Sequence, residues 1–92
     1  MNDEIKFDLL LDVKGLGCPL PILKTKKALE SLDRDQILKV ETTDPASKKD
    51  LASWARRTGN VLLRIDERSG TFTFYIQKKR REDRKAVLSL GE

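Results

Sequence analysis

The chain has 92 residues, 38% hydrophobic and 37% charged, which allows one domain with a thin core and excludes two domains. The formal charge is +4, but residues 1–77 hold 13 Lys/Arg against 12 Asp/Glu and residues 78–92 hold 6 against 3, so the basic character sits in the C-terminal end and not on a broad nucleic-acid-binding face. One cysteine and no histidine exclude an internal disulfide, a four-cysteine zinc site, and any Ser-His or Cys-His catalytic pair.

Residues 9–13, Leu-Leu-Leu-Asp-Val, predict a first strand with Leu9, Leu11 and Val13 on one side and Leu10 and Asp12 on the other. Lys14-Gly15-Leu16-Gly17 follows as a loop. A helix is expected from Cys18 or Pro19 to about Asp33, since proline suits the first helical position. Its apolar stripe is Ile22, Thr25, Leu29 and Leu32, with Ala28 beside it, and Lys24, Lys26 and Lys27 fall largely off the stripe.

Residues 36–42 predict a second strand with Leu38 and Val40 on one face. Asp44-Pro45 marks a helix start: an acidic N-cap, then proline. That helix turns Leu51, Trp54 and Ala55 inward and stops at Gly59, with Arg56 and Arg57 in its last turn. Val61, Leu63 and Ile65 alternate with Leu62, Arg64 and Asp66. After a turn at Ser69-Gly70, Phe72, Phe74 and Ile76 alternate with Thr71, Thr73 and Tyr75, which completes a β-hairpin. The order β-α-β-α-β-β predicts an α+β, two-layer sandwich: a four-stranded mixed sheet with both helices packed on one face. The domain is expected over residues 1–79, and residues 80–92 form a basic tail, disordered or a short helix.

The acidic start Met1-Asn2-Asp3-Glu4 is not expected to act as a signal peptide, and no stretch reaches the ~18 apolar residues of a membrane span. The expected compartment is the cytoplasm, where a lone thiol stays reduced. No cofactor and no metal are expected.

The chemistry concentrates in Gly15-Leu16-Gly17-Cys18-Pro19-Leu20-Pro21. The glycines let the chain turn sharply out of the first strand, which puts the cysteine at a helix entrance, where the dipole favours a thiolate. Pro19 and Pro21 lack N–H groups, so only Leu20 and Ile22 could donate toward the sulfur, and the pKa falls less than at an ordinary N-terminus. Lys14 adds positive charge nearby. The bland alternative, a buried inert cysteine, is weakened by the Gly-x-Gly and Pro-x-Pro flanks, because strand-to-helix turns are more often exposed. Pro21 stands where a thioredoxin-like Cys-x-x-Cys would place its second thiol, so sulfur on Cys18 must be resolved by another molecule.

The run Leu11-Asp12-Val13-Lys14-Gly15-Leu16-Gly17-Cys18-Pro19-Leu20-Pro21-Ile22-Leu23 resembles the signature of the TusA/SirA-like sulfur-carrier family. Thr42-Thr43-Asp44-Pro45 resembles that family's second stretch, and the resemblance extends from residue 8 to residue 78. It implies the same β-α-β-α-β-β sandwich. It also implies that Cys18 accepts sulfane sulfur as a persulfide and relays it to a partner, as a sulfurtransferase-type carrier; with no histidine and no metal cluster in the sequence, an independent enzyme is the least expected reading. The implied donor is a cysteine desulfurase or a rhodanese-type protein. The implied destination is tRNA thiolation, sulfur oxidation or cofactor synthesis.

Supporting roles are expected for Asp12, Gly15, Gly17, Pro19, Pro21, Asp44 and Pro45. The plainer role of Asp44 is a helix cap, and that of Asp12 a solvated strand residue. Lys14, Lys24, Lys26 and Lys27 are the candidate docking residues, with an ordinary wet helix face as the plainer reading of Lys24, Lys26 and Lys27. The alternative function is a nucleic-acid-binding module working through the lysines and tail, or a thiol-redox regulator. Five aromatic residues (three Phe, one Tyr, one Trp) give little basis for base stacking, so nucleic acid is not the expected partner. A monomer is expected.

Overall fold

The computed structural model describes residues 5–17 and 19–79. In chain order the elements are β1 (Leu9–Asp12), α1 (Leu20–Glu30), β2 (Ile37–Thr42), α2 (Pro45–Arg57), β3 (Val61–Arg68) and β4 (Thr71–Gln77). They form a four-stranded mixed sheet in the order β1-β2-β4-β3. β1 runs parallel to β2, and the other two pairings are antiparallel. This is the α+β sandwich expected from the sequence.

A single cluster joins the helices to one face of the sheet. Leu38, Val40, Phe72, Phe74 and Ile76 meet Leu29 and Leu32 from the α1 side and Leu51 and Ala55 of α2, with Val13 beneath. Three polar side chains, Thr25, Thr42 and Ser47, are fully buried among them. Each is satisfied locally. Thr25 Oγ1 donates to the Pro21 carbonyl at 2.7 Å, Ser47 Oγ to Asp44 Oδ2 at 3.1 Å, and Thr42 Oγ1 accepts the Asp44 N–H at 3.2 Å. Among the described residues no buried side-chain nitrogen or oxygen lacks a partner.

The helices are delimited by their ends. Asp44 is the N-cap of α2, accepting the Ala46 N–H at 3.3 Å, and Pro45 follows it as the first helical residue. At the other end, the Asn60 N–H bonds to the Ala55 carbonyl and the Gly59 N–H to that of Arg56, with Gly59 at φ +84°. That is a Schellman closure, and the left-handed residue is the glycine. α1 is shorter than expected, because Pro19 is its N-cap and Glu30 its last residue. Beyond Glu30 the backbone tightens into i→i−3 bonds, Ser31 to Ala28 and Leu32 to Leu29. Lys78, just past β4, donates Nζ to the Leu32 carbonyl at 2.6 Å, a cation where the helix end carries partial negative charge.

Three packing expectations are revised. Pro21 is buried on α1, and Ile22 is only partly buried. Trp54 is half-buried at the margin of the core, while Ser47 takes a fully buried place on α2. In β3 the alternation breaks: pairing passes from Leu62↔Ile76 to Arg64↔Tyr75, so Leu63 is an extra residue. This β-bulge leaves Leu63 40% exposed and brings Leu62 and Ile65 to the core, in place of the expected Val61-Leu63-Ile65 face. The turn is as expected: Ser69 and Gly70 both have positive φ (51° and 83°), the pair that a tight type I′ hairpin requires. The expected tail, residues 80–92, lies outside the described residues.

Candidate functional site

Parallel pairing puts the C-terminal ends of β1 and β2 at one edge of the sheet, with Asp12 opposite Glu41. Both strand-to-helix connections leave from that edge, so the segment leading to Cys18 lies against the one leading to α2. Cys18 itself lies outside the described residues, and the site is built from its neighbours on both sides.

The β1 ladder ends with the Val13 N–H donated to the Glu41 carbonyl at 2.9 Å. The chain then folds back, with the Leu16 N–H bonded to the Val13 carbonyl at 3.2 Å. Gly15 sits at φ +85°, where a side chain is strained. Gly17 has no such φ, and a Cβ there would meet nothing within 4 Å. The sharp turn expected of both glycines is therefore made at Gly15 alone.

Among the described residues, three side chains tether this loop. Asp12 Oδ1 accepts the Lys14 N–H at 3.0 Å, a side chain closing a local turn. Lys14 Nζ reaches Glu41 Oε1 at 2.9 Å and Asp12 Oδ1 at 3.4 Å. Thr43 Oγ1 accepts the Gly15 N–H at 2.9 Å. Asp12 thus does more than meet solvent. Lys14 does not offer free positive charge to a thiolate, since two carboxylates compensate it.

The Asp12 carboxyl is held below its ordinary range, chiefly by the hydrogen bond from the Lys14 N–H. The Lys14 ammonium is held above its ordinary value, chiefly by the hydrogen bond to Glu41. A depressed carboxyl stabilises the fold above its unfolded pKa, about 3.9, and loses that contribution as pH falls through the lowered value. A raised lysine stabilises below about 10.4 and loses its contribution only as pH rises through the raised value. The tethers are therefore constant across the range in which a cysteine thiol titrates, around 8.5.

On the helix side, Pro19 and Leu20 are exposed and Pro21 is buried. Leu20, one of the two N–H groups expected to face the sulfur, instead donates to the Gly17 carbonyl at 3.0 Å. The helix entrance is thus a weaker activator than the sequence suggests. Leu20 (43% exposed) and Leu23 (54%) stand at i and i+3, with Lys24 and Lys27 beside them on the outward side of α1 and Lys26 also exposed. No ion pair among the described residues engages Lys24, Lys26 or Lys27.

Of the expected supporting residues, Asp12 and Gly15 come together at the loop, while Asp44 and Pro45 serve the start of α2 next to it. Thr43 and Glu41 were not singled out as site residues. Thr43 lies within the Thr42-Thr43-Asp44-Pro45 stretch, but nothing local marks its contact or that of Glu41, because each acts on a residue far away in the chain. Among the described residues no group of three or more His, Cys, Asp or Glu side chains is placed to hold a metal ion. No helix among them is long and apolar enough to cross a membrane.

The family described as sulfurtransferase TusA matches residues 10–78. The chain is similar to the sulfur carrier protein TusA of Allochromatium vinosum, 49% identical over 72 residues that cover 78% of this chain and 95% of that one. A longer relative from Aquifex aeolicus, with the words sulfur carrier protein in its name, is 40% identical over 76 residues, 83% of this chain. The chain spans 39% of that relative's length. The fold is similar to the crystal structure of a SirA-like protein from Desulfitobacterium hafniense, with a TM-score of 0.70 at 24% identity, covering 79% of this chain and 100% of that one.

Proposed function

The chain belongs to the TusA sulfurtransferase family, and on that premise we propose that it is a sulfur carrier holding sulfane sulfur as a persulfide on Cys18. The observation that carries the reading is a lone cysteine in Gly-x-Gly-Cys-Pro-x-Pro, in a segment whose preceding loop is tethered at the ends of two parallel strands.

The chemistry is an exchange between sulfurs. The Cys18 thiolate attacks the outer sulfur of a donor's persulfide. The donor's S–S bond breaks, its electron pair leaves with the donor thiolate, and a new S–S bond forms on Cys18. No external oxidant is consumed. The acceptor's thiolate repeats the step on the Cys18 persulfide. With no second cysteine in the chain, the persulfide has no internal route to a disulfide. Donor proteins of the cysteine desulfurase or rhodanese type fit this chemistry, and so does any acceptor that presents a thiolate. The cytoplasm, where the thiol stays reduced, suits it.

We assign partner docking to the outward face of α1. Leu20 and Leu23 offer an apolar contact next to the motif, and Lys24, Lys26 and Lys27 offer charge that no ion pair among the described residues uses. The fitting partner is apolar at its centre and acidic at its rim. Lys14 is assigned to the loop, where its charge is already matched.

Intact-mass spectrometry tests the sulfur step. After exposure to a persulfidated donor or to polysulfide, the wild-type chain gains the mass of one sulfur atom, reversed by a thiol reductant, and Cys18→Ala gains none. A wild-type chain that takes up no sulfur from several donors would rule the reading out. Salt-sensitive nucleic-acid binding that survives Cys18→Ser would support the regulatory alternative instead.

A further inference from the structure

We propose that Thr43 is a positioning residue for sulfur transfer: its hydroxyl accepts the Gly15 N–H and fixes the loop that leads to Cys18 against the start of α2. This inference rests on the sulfur-carrier reading and adds to it a residue that acts through Gly15 and not on the sulfur.

Thr43 is a fixed point because both of its neighbours are anchored. Thr42 is fully buried, paired with Phe72 of β4, and its Oγ1 accepts the Asp44 N–H. Asp44 in turn caps α2 through the Ala46 N–H and the Ser47 hydroxyl. A short side chain between two such residues has little freedom. Its partner is equally constrained: the Gly15 amide belongs to a residue at φ +85°, three positions before Cys18. The bond spans 28 residues of sequence at 2.9 Å.

The other tether reaching across to β2, Lys14–Glu41, joins two long side chains with the Lys14 side chain 42% exposed, so it is screened by salt. The third, Asp12 to the Lys14 N–H, is local to the loop. Among the described residues, the Thr43–Gly15 bond is the one that ties the loop's backbone to the second connection through a short, salt-insensitive contact. Thr43 is itself exposed, so losing its hydroxyl leaves Gly15 free to bond water and leaves the core untouched.

The test compares Thr43→Val with Thr43→Ser in the full chain, using a persulfidated donor protein and a small alkylating reagent as probes. Thr43→Val keeps the wild-type melting temperature, exchanges its Gly15 amide hydrogen faster, and accepts sulfur from the donor about tenfold more slowly. Thr43→Ser restores both exchange protection and transfer rate. Neither group of the bond titrates, so the midpoint of the alkylation pH profile stays at the wild-type value. Three results overturn the proposal: Val transferring as fast as wild type, Ser transferring as slowly as Val, or a displaced midpoint, which would mark an electrostatic role. A wild-type chain that gains no sulfur from the same donor sinks the sulfur-carrier reading and this proposal together. Wild-type loading with an unimpaired Val variant sinks this proposal alone.

Discussion

Gly15 and Gly17 stand two residues apart in one loop under different constraints. Gly15 adopts φ +85°, while Gly17 is neither left-handed nor crowded. A side chain at Gly15 must be forced into the left-handed region, at a cost of about 1–2 kcal/mol. At Gly17 the change stays within about 0.5 kcal/mol, typical of an open surface position. Urea unfolding of Gly15→Ala and Gly17→Ala therefore separates two glycines that look equivalent in the motif, and equal losses of stability would contradict the assignment. Asp12 shows the same gap between residue type and role. On the polar side of a strand end it looks solvated, yet it closes the turn through the Lys14 N–H.

Among the elements, α2 follows most directly from local sequence. Asp44 caps it, Pro45 starts it and Gly59 ends it, each through contacts a few residues away. Replacing Asp44 by Ala removes the acceptor of the Ala46 N–H and of the Ser47 hydroxyl, and should cost about 1 kcal/mol. Thermal unfolding followed by circular dichroism measures this, and an unchanged melting temperature would mean that the cap contributes nothing. α1 is less legible because it has no side-chain cap, so only its surroundings fix its start. In the motif Pro21 stands out for its missing N–H. Its second role is in packing, for its ring is buried and its carbonyl accepts the Thr25 hydroxyl. A threonine on the apolar stripe is thereby made compatible with full burial.

For the whole molecule, the covered face of the sheet is committed to the core, while the outward side of α1 carries exposed leucines and lysines. Reversing charge with Lys24→Glu and Lys27→Glu together should slow sulfur transfer from an acidic donor protein about tenfold at low salt, with the difference shrinking as salt rises. Loading by polysulfide, which needs no protein docking, should be unaffected. Transfer rates insensitive to both charge reversal and salt would remove α1 as the docking face. The doubled charge change lies on an exposed surface, so the fold tolerates it.

The element order, the α2 cap and stop, the hairpin turn, the cysteine motif and, through that motif, the family are all legible in the order of residues. These depend on neighbours two to four residues apart, and turn, cap and periodicity rules describe such neighbours well. Tertiary structure alone decided the β1-β2-β4-β3 order, the bulge that expels Leu63, the neutralisation of Lys14 by Glu41 and the Thr43–Gly15 tether. The last two join residues 27 and 28 positions apart. Parallel pairing of β1 with β2 brings them together, and no local propensity of Lys14, Gly15, Glu41 or Thr43 encodes that pairing.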